Sequence, residues 1–289
     1  MQENVTFMSD GLKISGVLNL PDNAPKGRKL ACIMVLHGFG SNKTSDNVKI
    51  PCRMLNEWGY AALGFDMRGC GESEGTRANL ICMEQVADTR AATTFLQSRP
   101  EIDGNKIGVL GSSFGAAVAV YAAGVDDRIG ACISSGGWGN GRIKFQGQHP
   151  GAEAWAKFTR MLADGKEYRA KHGKPMMVGR YDIVPIPSNL RHNLAEKSHD
   201  EFTAETAQSM YDFTADDVVG KIAPRPLLLL HSSVDTVTPT EQSLRMFNLA
   251  SQPKDLHLFN ETNHFMFAAS GGRVGVLPAS ARAPVAMRT

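Results

Sequence analysis

The sequence predicts an α/β fold, a mostly parallel central sheet flanked by helices and interrupted by one inserted segment. Three observations carry this. Short apolar runs alternate with helix-like runs over the first ~140 residues, the rhythm of βαβ units. Most of those apolar runs are continuous rather than alternating, as expected of strands covered on both faces. Roughly 80 residues then separate two core strands, too many for a simple crossover.

The elements follow in order. "NVTFMSDGLKISGVLNLP" alternates apolar and polar residues on either side of "SDG" and reads as a hairpin. "KLACIMVLHG" is a buried strand ending at glycine. "IPCRMLNEWG" fits a short helix closed by Gly59, and "YAALGFDMRG" is a second buried strand. "ANLICMEQVADTRAATTFLQSRP" has helical periodicity and stops before Pro100. "KIGVLGSS" is a strand, "FGAAVAVYAAG" a helix of small residues and "IGACISSGG" a further strand. "PRPLLLLHSSVD" and "KDLHLFNET" supply two more strands. Residues 1–137 and 220–270 therefore form the core. Residues 138–219, with helix-like "AEAWAKFTRMLADGKEYRAKHG" and "AETAQSMYDFTADD", form an inserted cap or lid.

Hydrophobic residues make up 42% and charged residues 21% of the 289, the balance of a soluble globular protein. A chain of this length buries a substantial core without disulfides or metals. The net charge of +2, from 31 basic and 29 acidic residues, gives no reason to expect nucleic acid or an anionic membrane as partner. Five cysteines with no C-x-x-C spacing read as free thiols in a reducing compartment. The opening "MQENVTFMSDGLKISG" lacks a basic-then-apolar signal pattern, and no stretch approaches the ~20 apolar residues of a membrane span. A cytoplasmic location is the expectation. The oligomeric state is left open, a homodimer being one option.

The chemistry centres on "GSSFG", Gly111–Gly115, which satisfies G-x-S-x-G with Ser113 in the middle. Chance alone supplies roughly 0.2 such matches in a chain of this composition. Its context is more specific. The motif closes a buried strand and opens a helix, so Ser113 sits on a sharp turn that small neighbours permit. The N-terminal N–H groups of that helix face the point where negative charge would develop. Ser112 takes the variable position and faces away.

A serine hydroxyl needs a base, and the base needs an orienting acid. Asp235 lies just past the strand in "LLLLHSSVDTVTP", and His264 just past the next, in "LHLFNETNHF". Both fall at carboxyl ends of strands, the sheet edge that carries Ser113. His231 lies earlier in its strand and reads as structural. An oxyanion hole requires two backbone N–H donors. Phe114, directly after the serine, supplies one, and Phe39 in "LHGFGSN" the other. No metal-ligand spacing such as H-E-x-x-H occurs, and the chemistry calls for no metal or organic cofactor.

In "HGFGSNK", "DMRGCGESEG", "GSSFGAA", "HSSVDTVTP" and "NHF", in that order, the chain resembles the α/β-hydrolase superfamily over residues 5–267. It looks most like bacterial serine esterases of the cinnamoyl/feruloyl-esterase and dienelactone-hydrolase-like groups. The resemblance implies the α/β-hydrolase fold, with its insert after the sixth strand. It implies Ser113 as nucleophile, His264 as general base, Asp235 as orienter, and Phe39 and Phe114 as oxyanion donors. Asp66 and Arg68 match a structural loop of the family. Dienelactone hydrolases proper carry cysteine at the Ser113 position, and haloalkane dehalogenases and epoxide hydrolases carry aspartate, so those activities are disfavoured or excluded. The family usually ends in an amphipathic helix. Here "SGGRVGVLPASARAPVAMRT" is broken by glycine and proline, and a loosely ordered tail is expected over residues 271–289.

The expected function is hydrolysis of a carboxylic ester, on a small-molecule substrate with an aromatic or small acyl group. Trp138, Trp155, Tyr181 and Phe213 are candidates to line its pocket. The same residues could serve an amide, a thioester or the carbon–carbon bond of a β-diketone, because selectivity lives in the pocket. A non-catalytic binding protein on the same fold is the remaining alternative.

Overall fold

The computed structural model describes residues 1–22, 24, 27–260 and 262–267. The expected tail at 271–289 lies outside the described residues. Strands β1 (Gln2–Ser9) and β2 (Leu12–Asn19) form the expected hairpin, turning through Asp10 and Gly11 at φ +47° and +80°. The core continues with β3 (Leu30–Leu36), helix α1 (Asp46–Glu57), β4 (Ala61–Phe65), α2 (Cys82–Ser98), β5 (Ile102–Ser112), α3 (Phe114–Val125) and β6 (Ile129–Ser135). Between β6 and the next core strand lie α4 (Gly141–Gln148), α5 (Ala152–His172), β7 (Met177–Gly179), α6 (Arg180–Ile183), β8 (Glu201–Thr203), α7 (Ala204–Asp212) and α8 (Asp216–Val219). The core resumes with β9 (Leu227–Ser232), α9 (Glu241–Leu249) and β10 (Lys254–Phe259).

The main sheet has eight strands in the order β1-β2-β4-β3-β5-β6-β9-β10. It is parallel from β4 to β10 and antiparallel only where β2 pairs with β1 and β4. Alternate residues of β3 show why its sequence is apolar throughout. Cys32, Met34 and Leu36 join the cluster that includes α2 and α3, whereas Ile33 and Val35 join the one that includes α1. Side chains alternate across a strand, so both faces of the sheet are covered.

Two local differences from expectation have simple causes. Helix α1 begins at Asp46 rather than near Ile50, because the Ser45 carbonyl accepts from the N–H of both Val48 and Lys49. Pro51 therefore lies inside the helix, where its missing N–H leaves one hydrogen bond unmade. The segment between β6 and β9 also contains a two-stranded antiparallel sheet, β7 with β8, whose three-residue strands give no readable periodicity. At the end of that segment α8 packs back on α3, and a Cβ at Gly124 would meet Val218.

Asp66 and Arg68 hold the loop after β4. Asp66 accepts from the Lys43 backbone and ammonium, both at 2.6 Å, and from the Glu72 N–H at 2.8 Å. Arg68 forms a two-point contact with Asp88 at 2.8 and 2.7 Å and donates to Ser9.

Candidate active site

Ser113 sits between β5 and α3 at φ +55°, ψ −114°, a conformation that non-glycine residues rarely adopt. Its neighbours leave little room. A Cβ on Gly111 would come within 2.1 Å of the Gly115 carbonyl oxygen, and one on Gly115 within 2.5 Å of that of His37. The turn is pinned from behind, because the Ser113 N–H donates to the Ser135 carbonyl of β6 at 2.8 Å. Ser112 belongs to β5 and is buried.

The three sequence-predicted polar residues meet at this turn. The Ser113 hydroxyl lies 2.8 Å from His264 Nε2, and His264 Nδ1 lies 2.8 Å from Asp235 Oδ2. With Nδ1–H donating to the carboxylate, Nε2 is the acceptor for the serine hydroxyl. His264 is carried by the loop after β10, where its N–H donates to Asn263 Oδ1 and the Thr262 carbonyl accepts from the Ser232 hydroxyl. The side chain of Asp235, in the loop after β9, is fully buried, and its Oδ1 accepts from the N–H groups of Val237 and Thr238 at 2.7 and 2.8 Å. Burial alone would raise the pKa of this carboxyl. The His264 and His231 rings outweigh that and hold it below the usual carboxylate range.

His231 is a partner that the sequence reading set aside as structural. Its Nε2 lies 3.2 Å from Asp235 Oδ2 and 3.0 Å from the Thr238 carbonyl, while Nδ1 lies 2.6 Å from the Ser243 hydroxyl. Two acceptors at Nε2 make it a protonated nitrogen that donates to Asp235, while Nδ1 and the Ser243 hydroxyl hold the ring from the other side. Its position four residues ahead of Asp235, at the end of an apolar strand, was the available signal.

Phe114 opens α3 directly after the serine and Phe39 lies in the loop after β3, their rings 5.9 Å apart. Among the described residues neither backbone N–H has a hydrogen-bond partner in the protein. Gly38 passes close enough that a Cβ there would lie 3.7 Å from that of Ser113. The Gly38 carbonyl is held by His37 Nδ1 at 2.8 Å and the Ser41 N–H at 3.1 Å. Burial pushes the His37 pKa down, favouring a neutral ring whose Nε2 accepts from the Met67 N–H. Across a trans peptide the N–H points opposite to its carbonyl, so these bonds also set the direction of the Phe39 N–H.

The four candidate pocket aromatics separate. Trp138 is fully buried with its ring 5.8 Å from that of Phe114. Phe213 packs on Tyr121 of α3 at 4.9 Å, Trp155 on Phe158 at 5.8 Å, and Tyr181 beneath the Arg191 guanidinium at 3.7 Å. Trp138 and Phe213 thus pack on α3, whereas Trp155 and Tyr181 pack within the segment between β6 and β9. Beside Trp138 lies Lys144, only 2% exposed, its ammonium over the Trp138 and Phe145 rings and bonded to Gln148. Burial pushes its pKa down to about 7. Neither Lys144 nor Arg180, which contacts the Phe39 loop from α6, was singled out in the sequence.

A serine on a sharp strand-to-helix turn, at the carboxyl edge of a mainly parallel sheet, defines the class: this is an α/β hydrolase. Within that class the chain belongs to the family described as serine aminopeptidase S33, whose model matches residues 27–269. Among its relatives is the thiohydrolase aneE of Aspergillus aculeatus, 26% identical, with the alignment covering 96% of this chain and 91% of the relative. The crystal structure of the hypothetical protein PA2218 from Pseudomonas aeruginosa superposes with a TM-score of 0.77 at 23% identity, covering 93% of this chain and 88% of that one. Est1E from Butyrivibrio proteoclasticus, solved with ferulic acid bound, superposes with a TM-score of 0.64 at 19% identity, covering 90% of each chain. Among the described residues no helix is long and apolar enough to cross a membrane.

Proposed function

We propose that the protein is a serine esterase that cleaves a carboxylic ester through an acyl-enzyme intermediate. The observation that carries this is the unbroken relay Ser113–His264–Asp235, with 2.8 Å at each link, beside two backbone N–H groups that have no partner among the described residues. The Ser113 oxygen attacks the ester carbonyl while its proton passes to His264 Nε2. The resulting oxyanion accepts from the Phe39 and Phe114 N–H groups. Collapse breaks the bond to the alkoxy oxygen, which leaves as the alcohol with the proton from His264. Water then attacks the acyl-serine by the same route and releases the acid. Asp235 keeps its charge throughout and stabilises the imidazolium, and His231 keeps Asp235 oriented. Residues 138–219 act as the cap over the acyl side, with Trp138 as its wall next to Phe114. Aromatic or small acyl esters are the proposed substrates, and the cytoplasm the proposed location.

Thioester cleavage is the second reading, favoured by the likeness to a thiohydrolase over nearly the whole chain. The steps are the same, with a thiol as leaving group. Parallel assays with p-nitrophenyl esters and acyl thioesters of matched acyl length separate the two. In either case Ser113→Ala should lower kcat by about 10⁶, as in serine proteases stripped of their nucleophile. A variant that retains turnover refutes the assignment.

Activity should fall in acid, because a protonated His264 cannot take the serine proton. Stability follows the sign of the Asp235 shift. Its folded pKa is depressed, so its contribution is fully present above the unfolded value of about 3.9 and is lost as pH falls through the folded one. Acid unfolding of wild type and Asp235→Asn should therefore converge at low pH.

A further inference from the structure

Every hydrogen bond from the Arg180 side chain goes to a backbone carbonyl, and two of the three carbonyls lie in the Phe39 loop. Nη1 donates to the Phe39 oxygen at 3.0 Å, Nη2 to that of Gly40 at 3.4 Å and Nε to that of His199 at 2.7 Å. The guanidinium rests against the stacked rings of Phe39 and Phe202, 5.3 and 5.2 Å from their centroids. Arg180 is 1% exposed and makes no ion pair among the described residues. His199 completes the contact, its N–H donating to the Gly40 carbonyl at 3.1 Å and its Nε2 lying 2.9 Å from that of Gly69.

The loop needs such support. Gly40 stands at φ +57°, and glycine backbone is the least self-constrained. The peptide before Phe39 is held by His37 and Ser41, as described above. Among the described residues, the peptide after it has its carbonyl held by Arg180 alone. Fixing both planes fixes the backbone torsions at Phe39, and with them the direction of the N–H that would face the oxyanion. The Phe202 ring closes the site sterically, since a Cβ on Gly40 would come within 2.3 Å of its edge.

We propose that Arg180 is a positioning residue for the oxyanion hole, through which the segment between β6 and β9 sets the geometry of the Phe39 N–H donor. This rests on the reading of Ser113 and Phe39 given above. The role predicts a defect confined to the transition state. Arg180→Ala should lower kcat for a p-nitrophenyl ester by about 10²-fold, the scale of losing one oxyanion donor, with little change in KM. Inactivation by a fluorophosphonate, which also builds charge on an oxygen in that hole, should slow in parallel. Millimolar guanidinium should restore part of kcat to Arg180→Ala and none to Ser113→Ala.

Arg180→Lys keeps the charge but cannot span all three carbonyls, so it should fall between wild type and Arg180→Ala. It also supplies the test if the alanine variant does not fold. Wild-type kcat in a folded Arg180 variant, or a loss that appears in KM alone, overturns the proposal. A kcat loss matched by loss of folded protein and untouched by guanidinium overturns it equally. If Ser113→Ala still turns over, the serine reading fails and takes this proposal with it. An inactive Ser113→Ala beside a fully active Arg180→Ala removes the positioning role only.

Discussion

The core and the segment inserted between β6 and β9 bury their cations in opposite ways. In the core, Lys43 meets Asp66 and Glu72, and Arg68 meets Asp88 and Asp10. Burial alone would lower both pKa values, yet their carboxylate partners leave them raised. In the insert, Arg180 and Lys144 bury their charges against carbonyl or amide oxygens and aromatic faces, and burial wins, lowering both pKa values. A buried cation with an acid partner is a structural tie. One held by carbonyl and amide oxygens and π faces has no carboxylate to offset its burial, and both such cations stand beside the site, one on the Phe39 loop and one on Trp138.

The comparison is open to breaking by substitution. Arg68→Met should have the largest effect on stability, because it leaves fully buried Asp88 with a single backbone N–H donor, that of residue 68, in place of the guanidinium. The expected cost is about 3–5 kcal/mol, read from denaturant unfolding. Lys43→Met should cost less, about 1–3 kcal/mol, because Asp66 keeps the N–H donors of Lys43 and Glu72. If the two substitutions cost the same, the backbone donors do not offset the lost ammonium.

Lys144→Met should have the smallest effect and the opposite sign. The folded pKa of about 7 lies below the unfolded value of about 10.4, so between them the unfolded chain binds more protons and stability rises with pH. Removing the amine should flatten that slope and leave the variant at least as stable as wild type at neutral pH. A large loss of stability at neutral pH would show that the ammonium is compensated after all.

The same contrast explains what could be read from the sequence. The core was legible because most of its central strands are continuous apolar runs, and because Ser113, Asp235 and His264 each follow a strand. Helix α5 occupies the run that reads as helix-like, and Gly173 at φ +66° ends it. The Phe39 loop was placed by its glycines. Arg180 was not found, and His231 was read as structural without its link to Asp235, for a physical reason. The partners of Arg180 are backbone carbonyls, which every residue has, so nothing in the sequence marks them. His231 reads as one more buried residue of β9 until the chain turn brings it to Asp235. The candidate pocket aromatics Trp155 and Phe213 differ in what they touch, Phe158 in the one case and Tyr121 of α3 in the other, and residue type does not carry that difference.

The central claim is that Ser113 is the residue that reacts. Intact-mass and peptide analysis after treatment with a fluorophosphonate tests it most directly. The account predicts one adduct per chain, on the peptide containing Ser113, and none on Ser113→Ala. An adduct that persists in the variant, or maps to another residue, contradicts it.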